Sequence, residues 1–160
     1  MRMFNTTVGR LVLTACVAGL IAAAIGGVSL ARAGGTNHGR TIRVTEIDTG
    51  GKFISITHTE KGGPGDEFIF SANLRHAGHK VGTLDAMCTL MLHQKLLCQG
   101  TFKLMGGTIT GTALLPANEP NGSTDHIAIT GGTGTFRGAS GEIHSTSIND
   151  NVSRDVIFLD

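Results

Sequence analysis

The chain has no tryptophan, no tyrosine and only three prolines, and its 13 Lys and Arg nearly balance its 12 Asp and Glu. An even balance of charge argues against a nucleic-acid partner, which needs Lys and Arg clustered on one face. Also missing are a long amphipathic helix, an internal repeat and a low-complexity tail, so a helical bundle and a solenoid are set aside. Serine, histidine and aspartate all occur, but no nucleophile elbow frames a serine. His76-x-x-His79 has no Cys, Asp or Glu at ligand spacing, so a surface loop is expected there and no metal.

One long apolar run is present, from Leu11 to Leu30. With Arg2 and Arg10 before it and Ala31-Arg32-Ala33 after it, residues 1–33 have the layout of a signal peptide cleaved near Ala33. The rival is a membrane anchor formed by residues 11–30, in which case the membrane is met only through that uncleaved segment. Leu13-Thr14-Ala15-Cys16 resembles a lipobox, but the apolar core continues past Cys16. Cleavage removes Arg2, Arg10 and Arg32 and leaves 10 basic against 12 acidic residues in 127, a formal charge of −2 and a single domain over residues 34–160. The two remaining cysteines, Cys88 and Cys98, read as a disulfide in an oxidising, extracytoplasmic compartment. Two buried free thiols are the alternative.

Past Gly34 the chain alternates apolar and polar residues in short runs between glycine turns. The runs are 41–48, 53–60, 66–74, 80–92, 95–104, 107–115, 125–130, 141–148 and 152–159, a spacing expected of an all-β sandwich or barrel. Alternation puts Leu84, Ala86, Cys88, Leu90 and Leu92 on one face of their strand, and Leu96, Cys98, Gly100, Phe102 and Leu104 on one face of the next. A hairpin turning around His93 sets Cys88 against Cys98. Phe68, Phe70, Ala72 and Leu74 form a third apolar row. Three such rows make an interior, either packed solid or enclosing a cavity.

Gly131-Gly132-Thr133-Gly134 after the strand-like Ile127 to Thr130 invites a dinucleotide-binding reading. The segment that follows excludes it, because Gly138, Gly141 and His144-Ser145-Thr146-Ser147-Ile148 suit a strand better than a helix. The block is instead expected to be a glycine turn between antiparallel strands.

Gly65-Asp66-x-Phe68-x-Phe70, Val81-Gly82 ahead of Cys88, and Ala128-Ile129-Thr130-Gly131-Gly132-Thr133-Gly134-x-Phe136-x-Gly138-Ala139-x-Gly141 resemble the allene oxide cyclase barrel family and its bacterial secreted relatives. The last block is also similar to dirigent proteins. The resemblance covers roughly residues 43–159. It implies an antiparallel eight-stranded barrel of calycin-like type that holds a small hydrophobic molecule, with no metal or organic cofactor, often as a homo-oligomer. It also implies that the interior rows supply the ligand-binding residues, namely Phe68, Phe70, Ala72, Leu74, Leu84, Ala86, Leu90, Phe102 and Leu104.

The cavity residues of the plant cyclases transfer poorly. Their Glu and Asn on the first strand align with Arg43 and Thr45, their next Asn with Ala72, and their Tyr near Gly106, while their Cys is matched by Cys88. Two registers of the first strand stay open: one turns Arg43 inward as the catalytic candidate, the other turns Ile42, Val44, Glu46 and Asp48 inward with Glu46 in that role. Glu142 and His144 share a face and are read as a solvated outer row, with an acid–base pair as the alternative. Arg137 is given a structural role at its turn. The function expected is binding of a small hydrophobic molecule with guided cyclisation or isomerisation, without a cofactor. The alternative is a non-enzymatic carrier or a structural barrel.

Overall fold

The computed structural model describes residues 39–59 and 62–160. The leader-like segment therefore lies outside the described residues. Eight strands form a closed antiparallel barrel in simple up-and-down order: β1 (Arg40–Ile54), β2 (Glu67–His76), β3 (His79–Met91), β4 (Lys95–Leu104), β5 (Gly107–Pro116), β6 (Thr124–Gly132), β7 (Gly141–Asn149) and β8 (Val152–Leu159). β8 returns to pair with β1, with Arg43 opposite Val156 and Glu46 opposite Ser153. Closure removes both sheet edges, so every strand has two partners.

Nine strand-like runs become eight strands. The runs expected at 41–48 and 53–60 are one strand, β1, because Thr49-Gly50-Gly51 makes a bulge and not a turn: the pairing with β2 shifts between Asp48 and Gly50. Gly50 sits at φ 149°, and one extra residue there bends the strand without ending it. The strand stops at Ile54, and residues 55–59 form no strand.

The two ends of the barrel differ. At one end, Ile109, Ile143, Ile157 and Leu74 have no solvent exposure, and Val44, Ala72, Leu84, Phe102, Ile129 and Phe136 pack with them. The glycine block seals this end. A single 3-10 turn (Gly134–Phe136) follows β6 and drives Phe136 into the core, with Arg40 stacked 5.5 Å over its ring. Thr135 N–H donates to the Gly106 carbonyl at 2.8 Å and Thr133 N–H to the Thr108 carbonyl at 2.9 Å, binding the block to the β4–β5 turn. Gly134, at φ 61°, touches the Gly106 carbonyl so closely that a Cβ would overlap it. The glycines thus allow close backbone approach at a plug, and no phosphate-binding helix follows them.

At the other end Asp66, fully buried, organises the long β1–β2 connection. Its carboxylate accepts hydrogen bonds from the backbone N–H groups of Ile56 (2.6 Å), Thr57 (2.8 Å) and Gly63 (2.8 Å) and from the Thr57 hydroxyl (2.9 Å). Burial works to raise its pKa, but these donors outweigh burial and hold it at about 2.

Candidate functional site

Between the sealed end and the open end lies a cavity of about 330 Å³. Its wall is apolar on the β2–β5 side, where Phe68, Phe70, Leu84, Ala86, Leu96, Phe102, Ala113 and Leu115 point inward by strand alternation. Small residues make the room. Ala86 pairs with Gly100 and Gly100 with Gly111, so the middle of β3–β5 has almost no side-chain bulk.

Cys88 and Cys98 face each other across β3 and β4 and form a disulfide that lines the same wall.

The β1, β7 and β8 side is polar. Glu46, Ser145 and Ser153 line the cavity, and Asp155 lies behind Glu46 with no solvent exposure. Neither Asp155 carboxylate oxygen has a hydrogen-bond partner of bonding geometry. Burial is the main cause that pushes the Glu46 pKa up to about 8, and the nearby charges of Asp155 and Asp48 add to it. Asp155 itself is raised to about 6 by burial; the nearby Ser145 hydroxyl and Glu46 carboxyl pull the other way, too loosely placed to prevail. Both carboxyls therefore hold a proton to higher pH than a solvated carboxyl does, and they titrate as a coupled pair. A second acid pair stands at the mouth, where burial and the adjacent Glu119 raise Asp125 to about 6. Among the described residues no Lys, Arg or His lines the cavity.

The sequence-derived candidates divide. Glu46 is inside. Arg43 is on the exposed outer face of β1, and its carbonyl accepts a hydrogen bond from His76 Nδ1 at 2.8 Å. The register that turned Arg43 and Thr45 inward is thus corrected: β1 buries Val44 and Glu46, because the aliphatic row matches the apolar core and a guanidinium has no partner there. Of the apolar candidates, Phe68, Phe70, Leu84, Ala86 and Phe102 line the cavity. Ala72 and Leu74 are packed in the sealed half, Leu104 packs beside that core, and Leu90 is part-buried without reaching the cavity wall. These four are corrected from ligand contacts to positions off the cavity. Asp155, Asp125, Ser145 and Ser153 were not singled out from the sequence.

Glu142 and His144 lie on the outer face and hydrogen-bond each other at 2.6 Å, and Arg137 is exposed at its turn.

The fold is a small closed antiparallel eight-stranded barrel, and the solved structures similar to it include dirigent and cyclase barrels. Pyocyanin demethylase is similar over 76% of this chain and all of its own, with a TM-score of 0.65 and 24% identity. A pterocarpan synthase dirigent protein matches over 76% of this chain and 88% of its own (TM-score 0.60, 18% identity). The Diels Alderase AbmU from Streptomyces koyangensis matches over 94% and 82% (TM-score 0.60, 16% identity). At these identities the likeness is one of fold. No protein-family model matches the chain, and no curated protein matches it.

Proposed function

We propose that this barrel binds a small, mostly apolar molecule that is neutral or cationic, and that Glu46 guides its cyclisation or isomerisation by proton transfer, without a cofactor. The observation that carries the reading is a buried carboxyl, Glu46, lining a cavity whose opposite wall is apolar, with the buried Asp155 behind it; burial pushes the Glu46 pKa up to about 8. An acid kept neutral at neutral pH can donate its proton to a carbonyl, ether or ring-nitrogen acceptor on the ligand. The negative charge left on the pair then faces the cation that develops as the ring closes. The apolar wall holds the ligand in one folded conformer, which lowers the barrier further. A proton lost from the product returns to Glu46, so the reaction is redox-neutral and the site is restored. Asp155 acts as a positioning residue that raises the affinity of Glu46 for its proton.

The charge of the lining narrows the substrate class. Acids at floor and mouth, with no cation among the described lining residues, disfavour a fatty-acid carboxylate. The reading therefore departs from the jasmonate-type chemistry of the plant cyclases that the sequence resembles. That a pterocarpan synthase and a Diels Alderase use barrels of this shape supports ring closure as a reaction for the scaffold. Export belongs to the same reading, supported by the leader-like residues 1–33 and by the Cys88–Cys98 disulfide.

Native mass spectrometry of the protein isolated from its own source tests the proposal. One neutral or cationic apolar compound per barrel is expected, and Glu46→Gln should retain that compound while failing to convert its precursor. An empty barrel or a bound fatty acid would sink the assignment of substrate class. Conversion unchanged in Glu46→Gln would leave a carrier whose ligand reacts by itself.

A further inference from the structure

On the outer wall, away from the cavity, β6 and β7 place three ligand-type side chains together. His126 and His144 are directly opposed across the two strands, and Glu142 precedes His144 by two residues on the same face. Glu142 Oε2 lies 3.3 Å from His126 Nδ1 and 2.6 Å from His144 Nε2. The three donor atoms all fall within 4.8 Å of one another. We propose that His126, Glu142 and His144 form a binding site for one first-row divalent transition-metal ion, such as Zn²⁺, with water completing the coordination.

The argument rests on donor chemistry and on what fixes the donors. Two imidazoles and one carboxylate suit Zn²⁺, Ni²⁺, Co²⁺ or Cu²⁺ and do not suit Mg²⁺ or Ca²⁺, which require mostly oxygen ligands. A tetrahedral centre with bonds of about 2.0–2.1 Å separates its ligand atoms by roughly 3.3 Å, so small side-chain rotations suffice. The backbone positions are set by a closed sheet and need no folding step on binding. From β8, Phe158 packs edge-on against His144 with ring centroids 4.8 Å apart, and the two histidine rings meet at 4.3 Å, which restricts both imidazoles to this face. The side chains of His126, Glu142 and His144 remain 58%, 47% and 33% exposed, so an ion can reach them. One carboxylate oxygen now faces two ring nitrogens; an ion would displace the shared protons and take both lone pairs. Three protein ligands with open positions make an exchangeable site. Glu142 and His144 belong to β7, where Ile143 between them is buried in the core and Ser145 after them lines the cavity, so the sheet separates the metal from the proposed substrate.

The sequence offers this site only weakly, since Glu142-x-His144 and His126 are separated by the whole glycine block, and the barrel register alone brings them together. His76 and His79, close in sequence at an exposed turn, provide the comparison.

Zn²⁺ is titrated into untagged protein against a chromophoric chelator, with Mg²⁺ in parallel, and Co²⁺ loading is followed by visible absorption. One equivalent of Zn²⁺ is expected, with no response to Mg²⁺. His126→Gln and Glu142→Gln should each weaken Zn²⁺ binding by at least about 10-fold, and His76→Gln should not. Cu²⁺ added to the unaltered protein should broaden the imidazole NMR signals of His126 and His144 before those of His76 and His79, a readout that requires no variant. Absence of saturable one-to-one binding, or equal affinity in His126→Gln and Glu142→Gln, overturns the assignment whatever becomes of the proposed reaction.

Discussion

Substituting Glu46 by Gln removes the titration of one member of the buried pair, leaving Asp155, while keeping the shape of the side chain. The pKa of Glu46 rises from 4.5 to about 8, which corresponds at full ionisation to about 5 kcal/mol favouring the protonated native state. The folded protein binds this proton more tightly than the unfolded chain, so stability is undiminished below about pH 4.5 and falls as pH rises through about 8. On these values Glu46 costs about 1 kcal/mol at pH 5 and about 5 kcal/mol at pH 9, a loss of roughly 4 kcal/mol. Urea unfolding of the natural protein and of Glu46→Gln, each over that pH range, measures the difference directly. The natural protein should lose most of this stability toward alkaline pH relative to the variant, and titrating groups that do not interact with Glu46 cancel in the comparison. Parallel pH profiles would refute the reasoning, because they would mean that Glu46 ionises as a solvated carboxylate does.

Three further outcomes are expected. Asp66→Asn removes a carboxylate whose pKa is held at about 2 by backbone donors, so the variant should melt at a lower temperature at neutral pH and lose the acid limb between about pH 4 and pH 2, where the natural protein gives up that contribution; thermal melts over that range check both. Reduction of Cys88–Cys98, which closes a loop of sequence separation 10, should cost about 2.5–3 kcal/mol by the chain-entropy argument, measured by denaturant unfolding with and without a phosphine reductant. Phe70→Trp adds bulk to the cavity wall, so it should change stability by less than about 1 kcal/mol while displacing bound ligand; a loss of about 1–3 kcal/mol would indicate a solid core.

The barrel was legible because β2, β3, β4 and β5 each alternate cleanly, with one row apolar and one row polar or mixed. β1 was less so, since Gly50-Gly51 has the composition of a turn and only the continued pairing with β2 shows that it is a bulge. The acid pair was half legible. Glu46 followed from one of two registers of β1, but β8 misleads: Val152, Arg154, Val156 and Phe158, mostly apolar, face outward, while Ser153, Asp155, Ile157 and Leu159 face inward. Nothing local distinguishes those rows, and only closure of β8 against β1 and β7 sets the face. Asp125 was hidden for a similar reason, at the mouth of a barrel whose diameter the sequence does not state. The outer His126, Glu142 and His144 group depends on a pairing between β6 and β7 across the glycine block, and that register becomes definite only once the plug is folded.

Glu46 and Asp155 occupy inner positions next to Val44 and Ile157, at the boundary where aliphatic packing gives way to the cavity. A closed barrel needs no polar group there, and a well-packed aliphatic pair of similar volume would serve stability at least as well. A local choice that opposes the rest of the fold in this way is the physical signature of a binding or catalytic site. The position of the acids also separates two kinds of ligand handling. A carrier for cations would want carboxylates within reach of solvent, and Glu119 and Asp125 stand at the mouth. Glu46 lies deeper, backed by a second carboxyl that raises its pKa, so near neutral pH it still has a proton to donate. Under the function proposed above, the mouth pair would attract a basic ligand and the floor pair would act on it, so the open side of the barrel would lead from charge recognition to proton transfer.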